Sequence, residues 1–120
     1  MALSASKLTV MPGQALRVWQ MELGLSEKDL RGALDTDQRN LGRWRSGETF
    51  PQREARQRLA ALVALHEHLL DTFSDAGAAR EWLHAPSRYL GGLTPADVLR
   101  SGRIDRVESA IEAFDSGVFI

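Results

Sequence analysis

The stretch from residue 53 to residue 73 constrains the fold of this chain most. Its apolar side chains recur at spacings of three and four residues, which predicts one amphipathic helix with a broad buried stripe. The stripe consists of Leu59, Leu62, Val63, His66, Leu69, Leu70 and Phe73. At about 1.5 Å per residue the helix is about 30 Å long, enough to span a small domain. We therefore expect the other elements to pack around it.

The rest of the chain also shows helical spacing, and no strand pattern is present. A first helix is predicted over 14–23 and is ended by Gly24, and Ser26 caps a second with Asp29 at capping-box distance. Further helices are predicted at 37–45, from 74 or 75 to 83, at 95–100 and at 104–115. We expect an all-α fold that residues 1–13 precede as a flexible lead-in.

Residues 90–102, LGGLTPADVLRSG, combine several independent signals for one short helix. Thr94 and Asp97 have capping-box spacing, and Pro95 falls at the first helical position. Gly102 can end the helix in a left-handed conformation. None of these residues is a catalytic signature. The stretch therefore predicts a rigid platform, typical of a protein that binds a partner.

Composition excludes several classes of protein. The chain has no cysteine, which rules out disulfides and thiolate metal sites. It has neither an apolar run of about 20 residues nor a signal peptide, so we expect a cytoplasmic protein with no membrane partner. The net charge of −1 divides into +3 over 1–66 and −4 over 67–120. A basic N-terminal half favours an anionic partner there, although three excess charges are also ordinary for a protein surface.

The unit from Leu25 to Pro51 has the layout of a helix-turn-helix, with a polar turn near 35–37. Its second helix presents the side chains that read bases, because arginine pairs with guanine and glutamine or asparagine with adenine. The predicted DNA-binding residues are Gln38, Arg39, Asn40, Arg43, Arg45 and Arg53. Arg45 and the basic run Arg53, Arg56 and Arg58 are expected to meet phosphates.

This unit resembles the Xre (Cro/C1-type) helix-turn-helix family. The resemblance rests on Leu25-Ser26, Leu30, Leu34, the stretch Trp44-Arg45-Ser46-Gly47, and Pro51. It implies binding to operator DNA.

A second resemblance covers about residues 55–120. The ordered set consists of Trp82-Leu83, Pro86, Leu90-Gly91-Gly92, Thr94-Pro95, Leu99, Gly102, Val107, Ile111 and Gly117. This pattern looks like the toxin-binding domain of MbcA/ParS/Xre antitoxins. The two resemblances together imply a helix-turn-helix region over 14–58 that a long helix joins to a toxin-binding domain over 59–120.

The resemblance implies a type II antitoxin that pairs with a RES-domain toxin that consumes NAD. The antitoxin's C-terminal region covers the toxin's active-site entrance, and the complex represses its own promoter. We expect a homodimer and a hetero-oligomer with the toxin. The toxin-binding residues expected are Tyr89, Leu90, Arg100, Glu112, Asp115, Val118, Phe119 and Ile120.

The residues themselves leave the role of the C-terminus open. The last predicted helix is acidic and leads to an apolar tail, which suits docking into a cationic cleft. The tail could equally fold back on the core, with the acids facing water. Two further functions also remain: a stand-alone repressor whose C-terminal half only dimerises, and an interaction protein with a vestigial helix-turn-helix.

No enzyme or metal motif emerges. His66 and His68 lie two residues apart, about 200° around a helix, so both cannot bind one ion. We expect His66 in the apolar stripe and His68 facing solvent. No nucleophile motif surrounds any serine, and the glycines form no phosphate loop. The sequence predicts no catalytic residue, no metal and no cofactor.

Overall fold

In a computed structural model of the chain, residues 11–117 are described and contain seven α-helices and no strand. The all-α prediction is confirmed. The helices are α1 Pro12–Leu23, α2 Glu27–Leu34, α3 Gln38–Ser46, α4 Arg53–Phe73, α5 Ala76–Leu83, α6 Pro95–Arg100 and α7 Ile104–Ser116. α1 begins two residues earlier than predicted, with Pro12 in its first turn. Most of the predicted lead-in, residues 1–10, lies outside the described residues.

Side-chain capping explains why α2, α5 and α6 begin where they do. Both predicted capping boxes form: the Ser26 hydroxyl accepts from the Asp29 N–H, and the Thr94 hydroxyl accepts from the Asp97 N–H, each at 3.0 Å. The two aspartates accept in return from the cap N–H groups. Asp75 caps α5 by accepting from the Ala78 N–H at 2.8 Å. These bonds satisfy N–H groups that have no partner inside the helix.

α4 is the central element, as its stripe predicts. It buries Leu59, Leu62, Val63, Leu65, His66 and Leu69 in one apolar cluster that includes side chains from every other helix. His66 accepts a hydrogen bond at Nδ1 from the indole Nε1 of Trp19, at 3.2 Å, so α1 and α4 are also joined by a polar contact. Within residues 11–117, neither α4 nor any other helix is long and apolar enough to cross a membrane.

α2 packs directly against α6 although 60 residues separate them in the chain. The two backbones approach so closely at Gly32 that an added Cβ would stand 1.8 Å from the Arg100 carbonyl oxygen. No side chain larger than hydrogen fits this crossing without displacement of α6. The N-terminal and C-terminal halves of the chain therefore share one core, with the predicted boundary at residue 58 inside α4.

Candidate functional site

The α2–α3 unit is built around a three-residue turn. Asp35 takes the left-handed conformation, with φ of 50°, and ends α2. The Thr36 N–H then donates to the Arg31 carbonyl at 3.0 Å. Asp37 caps α3 by accepting from the Asn40 N–H at 2.8 Å. The Asp37 side chain and the Asp35 backbone thus form part of the local structure of the unit.

The outer face of α3 carries four of the predicted DNA-binding residues. Gln38 and Arg39 are exposed in its first turn. Asn40 is half-buried and donates from Nδ2 to the Thr36 hydroxyl at 3.1 Å. The Arg43 guanidinium lies 4.0 Å from the Glu48 carboxylate, and an exposed ion pair at this distance restrains the arginine only weakly. Gln38, Arg39 and Arg43 therefore share one accessible surface.

Arg45, predicted to contact DNA, holds three helices together. Its guanidinium donates to both carboxylate oxygens of Glu27 on α2, at 2.7 and 3.1 Å, and to the amide oxygen of Gln20 on α1 at 3.1 Å. The hydrogen bonds from Arg45 outweigh the effect of burial and lower the pKa of Glu27. A bidentate guanidinium–carboxylate pair of this kind fixes geometry as well as charge.

The basic residues at the start of α4 also include both exposed side chains and one that turns inward. Arg53 and Arg56 are exposed, and Arg53 lines an open groove beside Arg43. Arg58, expected to meet phosphate, turns inward: its Nη1 donates to the carbonyls of Gly102 at 3.2 Å and Ala33 at 3.4 Å. Arg58 thus joins the end of α6 to the end of α2.

The segment from 85 to 100 has a buried side and an exposed side. Leu90, predicted to bind toxin, is in the core, and Tyr89 is half-buried at its edge. Arg100 extends across α2, where its Nε donates to the Asp29 carboxylate at 2.9 Å. Asp29 is buried and Arg100 is 49% exposed, so this pair closes the α2–α6 contact from the outside.

α7 presents two kinds of acidic residue. Glu112 is exposed. Glu108 and Asp115 both contact the ring of His68 on α4, and Asp115 also accepts from the Thr72 hydroxyl at 2.7 Å. His68 is therefore a contact between α4 and α7, and the prediction that it faces solvent is wrong. The predicted tail residues Val118, Phe119 and Ile120 lie outside the described residues.

An aromatic group lies at the other side of α7. The ring of Phe73 is 5.9 Å from that of Trp82 and 5.2 Å from that of Phe114. Trp82 and Phe114, with Pro86 and Tyr89, line a groove of about 150 Å³. Phe114 is 40% exposed, so α7 offers an accessible apolar side chain on the flank opposite the exposed Glu112.

Within residues 11–117, no group of three or more histidine, aspartate or glutamate side chains could hold a metal ion. The two neighbouring histidines turn to different partners, Trp19 for His66 and α7 for His68. Burial lowers the pKa of His66, although the carboxylates of Glu22 and Glu67 partly oppose this. Both histidines therefore act as contacts between helices.

Comparison with known proteins identifies the family. Residues 68–117 match the model of the antitoxin Xre/MbcA/ParS C-terminal toxin-binding domain. The chain is 34% identical over 98 residues to the mycobacterial cidal antitoxins MbcA of Mycobacterium bovis and Mycobacterium tuberculosis, covering 82% of this chain and 86% of each relative. The chain belongs to the Xre/MbcA/ParS antitoxin family. The antitoxin also superimposes, with a TM-score of 0.63 and 30% identity over all of both chains, on a chain of the crystal structure of the M. tuberculosis MbcT–MbcA toxin–antitoxin complex.

Family membership makes this chain an antitoxin and not an enzyme, as predicted. Sequence reasoning missed the residues that join the antitoxin's two halves. Asp29 was recognised as a cap, but its second role as the partner of Arg100 was not. Glu27, Glu108 and His68 were also missed as contacts between helices. The capping pattern could not reveal these pairs, because each partner lies many residues away.

Proposed function

We propose that this antitoxin binds and neutralises a toxin of the MbcT type. The observation that carries the proposal is its similarity, over the whole length of both chains, to a chain of the MbcT–MbcA complex. By the family resemblance, the toxin is a RES-domain enzyme that consumes NAD. The antitoxin's C-terminal region covers the entrance to the toxin's active site and stops that reaction.

The surface best suited to this contact lies on α7 and the segment before α6. It offers two features on opposite flanks of α7, namely the exposed carboxylate of Glu112 and the apolar edge formed by Tyr89 and Phe114. A binding pocket for the pyrophosphate of NAD is cationic, so an acidic helix with an apolar edge suits its rim. The whole of this surface lies within or just beside the matched toxin-binding region, 68–117.

The test is co-expression with the protein encoded next to the antitoxin gene, with growth, cellular NAD and co-purification as readouts. The neighbour alone should deplete NAD, and the antitoxin should bind it and restore growth. Glu112→Arg should weaken rescue, whereas Glu22→Arg, an equal charge change at an exposed position on α1, should not. If no complex forms and NAD does not fall, the toxin-neutralising function is wrong.

The specific observation that favours a second role, operator binding, is the accessible face of α3. Gln38 and Arg39 are exposed in the first turn of α3, and Arg43 and Arg53 line one groove beside it. In a Cro/C1-type helix-turn-helix the start of the second helix enters the major groove, and flanking arginines contact phosphates. We therefore propose that the antitoxin–toxin complex represses its own promoter.

A gel shift on the promoter fragment tests this role. Arg39→Ala should weaken binding, whereas Arg88→Ala, an equal loss of charge at an exposed position in the C-terminal half, should leave it unchanged. Arg53→Ala, which removes one expected phosphate contact, should reduce the salt dependence of log K by about 1. DNA binding without any toxin partner would favour the stand-alone repressor. Toxin binding without DNA affinity would favour a vestigial helix-turn-helix.

A further inference from the structure

We propose that His68 is a positioning residue that holds α7 against α4 by a proton-dependent clamp, so that α7 is held less firmly as the pH rises above about 6.5. Its final step, the effect on toxin binding, rests on the proposed function. The clamp itself concerns the antitoxin alone. It adds a regulatory input at the surface that the toxin would contact.

The geometry of the ring carries this inference. The Nδ1 atom faces the Glu108 carboxylate, and the Nε2 atom lies 2.7 Å from the Asp115 carboxylate. A neutral imidazole has one N–H and can donate to only one of these acceptors. The imidazolium donates to both, so both bonds exist together only when His68 carries its second proton. Thr72 already donates to the other oxygen of Asp115, so it cannot replace the missing bond.

The two contacts are placed where they control α7 as a unit. Glu108 lies in the second turn of the helix and Asp115 in its last turn, so His68 holds α7 at two points. Glu112 and Phe114 lie between these points. When the ring is neutral, one of the two carboxylates has no N–H to accept from, which weakens the docking of the whole segment.

The charges around the ring set the direction of the pH response. Burial lowers the pKa of His68, but the hydrogen bonds and charges of Glu108 and Asp115, the ionisable groups that α7 places against the ring, outweigh it and raise the pKa above the ordinary value. The clamp is therefore fully formed below about pH 6.5 and is lost as the pH rises through the higher value of the docked ring. His66 responds oppositely, because burial lowers its pKa.

The test uses the free antitoxin, with NMR titration of the histidine rings and hydrogen exchange of α7 amides at pH 6 and pH 8. The equilibrium constant for opening of α7 should be larger at pH 8 than at pH 6. The increase should be at most roughly tenfold for each pH unit by which docking raises the pKa of His68. In His68→Gln, which is never charged, α7 should open as readily at pH 6 as at pH 8. In His68→Arg, which is always charged, the pH dependence should also vanish.

His84→Gln is the matched control, since His84 lies at the end of α5 and its ring contacts the Leu23 carbonyl at 3.0 Å. This variant should keep the wild-type pH response of α7. The proposal is overturned if His68 titrates at or below the value of an unperturbed histidine, or if His68→Gln keeps the wild-type difference between pH 6 and pH 8.

A second measurement extends the test to function. Toxin affinity should fall from pH 6 to pH 8 for the wild-type antitoxin, and this fall should be lost in His68→Arg. If α7 responds to pH in the free protein but no toxin binds at either pH, the clamp stands and the proposed function fails. If toxin binds and α7 shows no pH response, the function stands and the clamp fails.

Discussion

Substitution of Gly32 by alanine tests the close contact between α2 and α6. Alanine normally stabilises a helix interior by about 0.5–1 kcal/mol relative to glycine. Here the new Cβ would lie 1.8, 2.5 and 2.7 Å from three backbone atoms of Arg100, so no side-chain rotation relieves the overlap. α6 would have to retreat by about 1.6 Å, from 1.8 to 3.4 Å, to reach ordinary van der Waals contact.

Such a retreat has two costs. It stretches the 2.9 Å bond between Arg100 and the buried carboxylate of Asp29, which contributes about 1 kcal/mol once the exposure of Arg100 is allowed for. It also loosens the packing of the buried Val98 and Leu99, at about 1–3 kcal/mol. After the gain in helix propensity, Gly32→Ala should destabilise the fold by about 2 kcal/mol and lower Tm by about 10 °C.

The antitoxin supplies its own matched control in Gly42. This glycine lies in the interior of α3, and an added Cβ there would meet nothing within 4 Å. Gly42→Ala should therefore stabilise the fold by about 0.5–1 kcal/mol. Urea denaturation followed by circular dichroism measures both variants. Equal or greater stability of Gly32→Ala relative to the wild type would refute the argument from backbone contact.

Three further predictions concern charge and recognition. Arg43→Ala should weaken operator binding in a gel shift and leave toxin inhibition intact, and unchanged DNA affinity would remove Arg43 from the reading surface. Deletion of residues 118–120 should impair rescue of toxin-expressing cells but not DNA binding. Full rescue by the truncated protein would show that these three residues are not needed to cover the toxin's active site. Glu27→Gln should flatten the acid limb of the stability curve: the lowered pKa of Glu27 adds stability above about pH 4.5 that is lost as the pH falls through the folded value. An unchanged acid limb in chemical denaturation would show that the pair with Arg45 adds nothing.

The sequence predicted the helices well because several of them carry their own start or stop signals. Ser26 with Asp29 and Thr94 with Asp97 mark two starts by spacing alone, and the left-handed residue at Gly24 marks an end. Such signals act over three or four residues, so a short segment of the sequence contains each of them completely. The order of the elements followed directly.

The sequence could not show which polar side chains turn inward. Arg43 and Arg45 differ by two positions on the same short helix, yet one faces solvent beside Glu48 and the other joins α1 to α2. Arg45 turns inward because folding places the Glu27 carboxylate of α2 within hydrogen-bond distance of its guanidinium. Likewise the close crossing at Gly32 depends on Arg100, for which no spacing rule exists. Local patterns determine helices, whereas tertiary packing determines the partners of the charged residues.

The pairing of Asp29 with Arg100 has a consequence for synthesis of the antitoxin on the ribosome. The two residues are 71 positions apart, so α2 emerges long before the helix that covers it has been made. At roughly 5–20 residues per second, the surface of α2 waits several seconds for α6. Until then the nascent chain exposes the side of α2 that α6 covers, and the Asp29 carboxylate lacks its ion pair with Arg100. A chain whose synthesis ends before residue 100 lacks the complete α6 and cannot close this core, so incomplete translation yields no folded antitoxin.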